Sequence, residues 1–216
     1  MIGLNQILKM LCERRPIFHS EADFQHALAW QIHEQWPRYS VRLEYPLYPG
    51  QRDHLDILAR SDAAVLAIEL KYKTRTLFAP IGGELFWLKD HSAQDCGRYD
   101  FLNDIQRLEQ FVLKYDNVVG YAILLTNDSS YWNLPQHDSS ADVSFRIHDG
   151  RLVTGILGWG PMASKGTTKG REKALALEGT YRLIWRDYYE VEANEYVKGH
   201  RKFRYLALKV DSTHIM

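Results

Sequence analysis

The sequence predicts an α/β fold, and three observations carry that expectation. Apolar residues recur at helical spacing over the first 36 residues, then alternate with polar ones in three successive β-prone runs. A further helical stretch at 100–115 leads into a nearly continuous apolar run at 118–126. The resulting order, α, α, β, β, β, α, β, describes a mixed sheet in which an antiparallel stretch is followed by a helical crossover.

Each element has its own warrant. Ile2, Leu4, Ile7, Leu8 and Leu11 make the first helix one-sided, and Pro16 stops it. Ser20 is placed to cap a second helix, with Glu21 and Asp23 in the first turn where the helix dipole favours acids. Phe24, Leu28, Ile32 and Trp36 follow at steps of four before Pro37. Val41, Leu43 and Tyr45 alternate ahead of a turn at Pro49-Gly50, and runs at 52–60 and 64–72 flank the short break Ser61-Asp62. In the next helix Leu102, Ile105, Leu108 and Val112 share a face, and the run at 118–126 reads as a strand buried on both sides. Beyond it, Asp149-Gly150 signals a hairpin between 144–148 and 151–156. The glycine-rich stretch 158–170 reads as mobile, and 180–191 and 203–210 read as two late strands.

Composition narrows the function classes. At 216 residues, 45% hydrophobic and 25% charged, the chain suits one enlarged domain and excludes disordered, collagenous and coiled-coil classes. Lys plus Arg equals Asp plus Glu at 27 each, so a nucleic-acid partner would have to be held by local patches. The charge is uneven: residues 1–162 carry 16 basic and 20 acidic side chains, residues 163–216 carry 11 and 7. Cys12 and Cys96 form no CxxC pair, which argues against a zinc ribbon or disulfide scaffold and suits a reducing compartment. No apolar run approaches the roughly eighteen residues of a membrane span. The expectation is a cytoplasmic protein with no membrane partner.

The stretch 56–71 carries the chemistry. If the hairpin turns between Asp62 and Ala63, Asp56 faces Glu69, with Cβ atoms about 4.5–5.5 Å apart. Like charges so placed repel unless something positive lies between them. Lys71 projects from the same face about 7 Å further along, while Leu66, Ile68, Leu70 and Tyr72 face a core. Two carboxylates suit a hard cation such as Mg²⁺ or Mn²⁺, which polarises a phosphoryl oxygen and activates water; a nearby ammonium stabilises developing charge. Glu21 shares the core-facing side of Phe24, Leu28 and Ile32, a costly position for an acid unless it has a partner.

Glu21, then Asp56, then Glu69-x-Lys71 across a helix and two strands resembles the signature of the PD-(D/E)XK nuclease superfamily. The likeness spans about residues 15–127, including the helix Asn103-Asp-Ile-Gln-Arg-Leu-Glu109. It implies a restriction-endonuclease-like α-β-β-β-α-β core, to which the strands read further on add a β-rich C-terminal extension over 128–216. It further implies Asp56, Glu69 and the Leu70 carbonyl as metal ligands, Lys71 as the catalytic lysine and Glu21 as the acid completing the site. Leu55 stands where the family name has proline. The segments Gly166-Thr-Thr-Lys-Gly-Arg-Glu172 and 181–188 resemble those of bacterial proteins that carry this core.

On this reading the chain is a metal-dependent phosphodiesterase acting on DNA, and a double-strand cutter with one site per chain would work as a homodimer. Candidate nucleic-acid contacts are Lys73 and Arg75, which follow the lysine, His54, which shares the parity of Asp56, and Lys165, Lys169 and Arg171 on the glycine-rich stretch. Three alternatives stay open: a plain cross-strand ion cluster, a catalytically inactive module that binds nucleic acid or a protein partner, and a non-nuclease role in the same fold, such as acting on RNA ends or assembling with a defence or repair partner.

Overall fold

The computed structural model describes residues 3–47, 53–137, 139–213 and 215; the turn expected at Pro49-Gly50 lies outside them. Helix α1 (Leu4–Arg14) buries Leu4, Ile7, Leu8 and Leu11, the residues that make it amphipathic. Helix α2 (Glu21–Gln35) starts as its capping sequence dictates, with the Asp23 N–H donating to Ser20 Oγ at 3.1 Å.

Strands β1 (Ser40–Pro46), β2 (His54–Arg60) and β3 (Val65–Lys73) form a meander in which β2 pairs antiparallel with both neighbours. A hairpin of β4 (Leu77–Ile81) and β5 (Glu84–Leu88) follows, then α3 (Gln94–Lys114) and β6 (Val118–Thr126), which lies parallel to β3 over nine residue pairs. A single-turn α4 (Lys165–Thr168) sits between β7 (Leu152–Leu157) and β8 (Leu175–Arg182). Strands β9 (Trp185–Glu190), β10 (Lys198–Gly199) and β11 (Lys202–Val210) complete the described chain.

The central sheet has the order β1-β2-β3-β6-β11-β9, so the C-terminal strands extend the same sheet. One face packs Ile57, Ile68, Leu70 and Tyr72 against α1 and α2. The other packs Leu58, Ala67, Ala122 and Leu124 against Leu102, Ile105 and Leu108 of α3. Alternation along β3 therefore divides its side chains between two cores. Among the described residues, no helix is long and apolar enough to cross a membrane.

The structure corrects four sequence expectations. The β4–β5 hairpin is not foreseen by the sequence, because Pro80 and Gly82-Gly83 break the pattern on which strands are read. Helix α3 starts at Gln94, several residues before the expected 100, and continues through Gly97, where a side chain would collide with Tyr131. Gly150 occupies a left-handed turn (φ 80°), but 144–148 forms no strand: Phe145 and Ile147 are buried in the α3-side core, and β7 pairs with the later β8. The run 180–191 is broken at Leu183-Ile184, so that β8 pairs with β7 while β9 edges the central sheet.

The two ends of the glycine-rich stretch 158–173 meet each other and α3. Trp159 stacks on Tyr99 (5.8 Å between ring centres) and donates from Nε1 to the Arg171 carbonyl at 2.7 Å.

Candidate active site at the ends of β2 and β3

The hairpin register agrees with the sequence arithmetic as far as the pairing runs. Arg60, Ala59, Leu58 and Ile57 pair with Val65, Leu66, Ala67 and Ile68. At the next position, where Asp56 would face Glu69, the ladder stops. The Asp56 carboxylate instead accepts the Leu70 N–H at 2.6 Å, replacing a main-chain bond. The Asp56 carbonyl accepts from Gln25 Nε2 at 2.7 Å, which ties this end of β2 to α2.

Glu69 and Lys71 share the parity of Ala67 and face α3, where two side chains meet them. Lys71 Nζ lies 2.6 Å from Asp104 Oδ2. Arg107 Nη2 lies 3.0 Å from Glu69 Oε1 and donates to the His54 carbonyl at 2.6 Å; its Nη1 is 3.4 Å from Asp104 Oδ1. Asp104, Arg107 and Gln25 were missed at the sequence level. A signal existed for Asp104, which stands one turn before Leu108 and so places an acid on the apolar stripe of α3.

The cluster is acid-rich, and two of its acids are buried. Glu69 is 2% exposed and Asp104 4%. Three carboxylates (Asp56, Glu69, Asp104) confront two cations (Lys71, Arg107). Burial pushes the Asp56 carboxyl up to about 6, opposed by Lys71 and the Leu70 N–H and reinforced by Asp104 and Glu21. Burial also drives the Glu69 and Asp104 carboxyls well above the usual carboxylate range. For Lys71, desolvation favours the neutral amine, but Asp104 and Asp56 outweigh it and hold the ammonium charged. Acids and lysine thus shift upward together, as a surplus of buried negative charge requires.

The other sequence candidates are placed as follows. Glu21 projects from α2, the layer on the opposite face, and its Oε2 accepts the Tyr72 N–H at 2.7 Å. It thereby reaches the end of β3 and contributes to the field at Asp56 and Lys71. The Leu70 carbonyl accepts from Lys71 Nζ at 3.2 Å. Lys73 lines a cleft beside Glu21, while the Arg75 guanidinium lies 3.5 Å from Asp90. His54 starts β2, half-buried, with its carbonyl on Arg107. Lys165 and Lys169 are exposed on and just after α4. Arg171, expected to reach a phosphate backbone, is committed to Asp100, donating at 2.6 and 2.7 Å; Asp100 lies one turn before Asp104 on α3.

Among the described residues, no three His, Cys, Asp or Glu side chains form a ligand group for a metal; Glu69 and Asp104 instead engage Arg107 and Lys71. The donor chemistry nevertheless fits a hard divalent cation. Carboxylate and carbonyl oxygens of Asp56, Glu69 and Leu70 are the ligands Mg²⁺ and Mn²⁺ prefer. Glu69 Oε1 is buried without a well-formed hydrogen bond, and the surplus acid favours added positive charge. Comparisons with models of protein families, with curated proteins and with solved structures find no match to this chain.

Proposed function

We propose that the protein is a metal-dependent nuclease that hydrolyses phosphodiester bonds in DNA. The observation that carries this reading is the acid-rich, largely buried cluster of Asp56 and Glu69 beside the Lys71 ammonium, at adjoining strand ends. The topology supports it: antiparallel β1-β2-β3, a crossover through α3 and a strand parallel to β3 is the element order of a restriction-endonuclease-like core, with β4 and β5 as an insertion.

Asp56 and Glu69, with the Leu70 carbonyl, would hold Mg²⁺ or Mn²⁺, which supplies Lewis-acid polarisation of a phosphoryl oxygen and an acidified water. The remaining work falls to the chain itself. Asp104 keeps Lys71 charged and positioned, so that its ammonium can orient the attacking water or stabilise charge on the phosphoryl oxygens. Glu21 fixes the Tyr72 N–H and supports the site electrostatically. Arg107 screens Glu69 from Asp104 and anchors β2 through the His54 carbonyl. Hydrolysis adds water across one P–O bond and leaves a phosphate monoester and a hydroxyl end.

The test is cleavage of DNA in Mg²⁺ or Mn²⁺ by the purified chain, with loss expected in EDTA and in the Asp56→Ala and Lys71→Ala variants. Cleavage that survives both substitutions would assign the activity elsewhere. A second reading, a catalytically inactive nucleic-acid- or protein-binding module, is favoured by one observation: Arg107 and Lys71 already engage Glu69 and Asp104. DNA binding that is indifferent to chelation, without cutting, would select it.

A further inference from the structure

The β4–β5 hairpin takes no part in the mechanism above, yet it forms one wall of a cleft that adjoins the site. Its inner residues Leu77, Ala79, Phe86 and Leu88 are buried against the α1–α2 core. Its outer face carries Trp87, 70% exposed, edge-on to Phe78 at 6.1 Å between ring centres. The register sets Lys198, Phe78 and Trp87 in one row across β10, β4 and β5. With the inner face of the hairpin buried, the Trp87 ring on the outer face is open to a stacking partner.

Beside Trp87 opens a polar cleft of about 440 Å³, lined also by Glu21, Lys73, Thr74, Lys89 and His91. Its cationic wall is stitched in place. The Thr74 N–H donates to His91 Nδ1 (3.1 Å), Thr74 Oγ1 donates to the Lys89 carbonyl (2.7 Å), and the His91 N–H donates to the Thr74 carbonyl (2.7 Å). Because Nδ1 accepts, neutral His91 carries its proton on Nε2, a donor. The amines of Lys73 and Lys89 make no ion pair or hydrogen bond among the described residues, and Glu21 is the one carboxylate lining the cleft.

We propose that this cleft is a subsite for single-stranded nucleic acid, in which Trp87 stacks on an unpaired base while Lys73, Lys89 and His91 hold the adjoining phosphate. A ring face can be offered to a base only where the base is unstacked, which an intact duplex forbids and a single strand or frayed end allows. The preference comes from the platform; the cations bind phosphate of either form. Glu21 forms the shared wall, so a strand held here is delivered toward Lys71. This inference takes its catalytic sense from the nuclease reading, but binding at the cleft stands independently of it.

The experiment measures binding of the full chain to labelled twelve-residue oligo(dT), oligo(rU) and a duplex of equal length, in EDTA so that no cleavage intervenes. One of the single strands is expected to bind at least tenfold more tightly than duplex. Trp87→Ala should weaken that binding about tenfold and Trp87→Phe less, given ~1–3 kcal/mol per stacked base. In the Lys73→Ala/Lys89→Ala double variant, the slope of log affinity against log salt should fall by about 0.7 for each phosphate that is no longer neutralised. Single-strand affinity unchanged by Trp87→Ala, or tighter duplex binding, would overturn the proposal. Trp87-dependent binding without cleavage in Mn²⁺ would keep the subsite and remove the nuclease; Asp56-dependent cleavage with binding indifferent to Trp87 would do the reverse.

Discussion

The Lys71 ammonium lies 2.6 Å from Asp104, a carboxylate delivered by the crossover helix and not by either strand of the site. The pair links β3 to the helix that makes β6 parallel to it, so the crossover itself sets the position of the amine. On the proposed nuclease reading Asp104 is a positioning residue. Asp104→Asn keeps the shape but removes the charge that holds Lys71 protonated. It should lower kcat about a hundredfold with little change in KM, and bring the alkaline limb of the pH–rate profile to lower pH as the Lys71 pKa falls. A proportional loss at every pH would point to a structural role.

Arg107 is the second cation of the cluster and touches both Glu69 and Asp104. Arg107→Met leaves two buried carboxylates short of positive charge, a change that costs about 3–5 kcal/mol when a buried pair is broken. Denaturant unfolding in EDTA should show that loss, and saturating Mn²⁺ should recover part of it. Equal loss with and without metal would show that the ion does not bind beside Glu69.

Asp56 gives a pH signature in metal-free protein. Its carboxyl is raised from 3.8 to about 6 in the folded chain. Between those values the folded state retains a proton that the unfolded state has released, so this group's contribution to stability falls as pH rises through about 4 to 6. Asp56→Asn removes that penalty and can still accept the Leu70 N–H. The variant should therefore be more stable than wild type at pH 7, by up to about 3 kcal/mol, and the gain should vanish below pH 4. Thermal unfolding across pH 3–8 checks this; a difference independent of pH would contradict it.

Much of this arrangement was legible in the chain. The Ser20 cap, the apolar stripe of α3, the register of β2 on β3 and the gathering of Asp56, Glu69 and Lys71 follow from period, turn position and parity, all local properties. The ladder break at Asp56 was not legible, because it depends on Gln25 reaching β2 from another layer. Nor was the partner of β7, since Asp149-Gly150 is a genuine turn whose flanks are claimed by the core and by a distant strand. Arg171 read as a free cation for the same reason: Asp100, which neutralises it, lies 71 residues earlier.

Gly97 offers a test of the packing that holds α3. A Cβ there would drive into the Tyr131 hydroxyl, with the ring Cζ 3.3 Å away, and Tyr131 is 2% exposed. Gly97→Ala should cost about 1–3 kcal/mol by overpacking, despite the better helix propensity of alanine. Tyr131→Phe deletes the colliding atom and should recover most of the loss in the double variant. Additive effects in the double-variant cycle would separate the two residues.

On the proposed reading a divalent cation would relieve the surplus acid around Glu69, and calorimetric titration of Mn²⁺ into the metal-free chain at pH 7 reads that uptake without an intervening reaction. Saturable uptake is expected at the Asp56–Glu69 site, disappearing in Asp56→Ala while the fold persists by circular dichroism. Uptake unaltered by that substitution, or none at millimolar Mn²⁺, would refute the metal site and the nuclease with it.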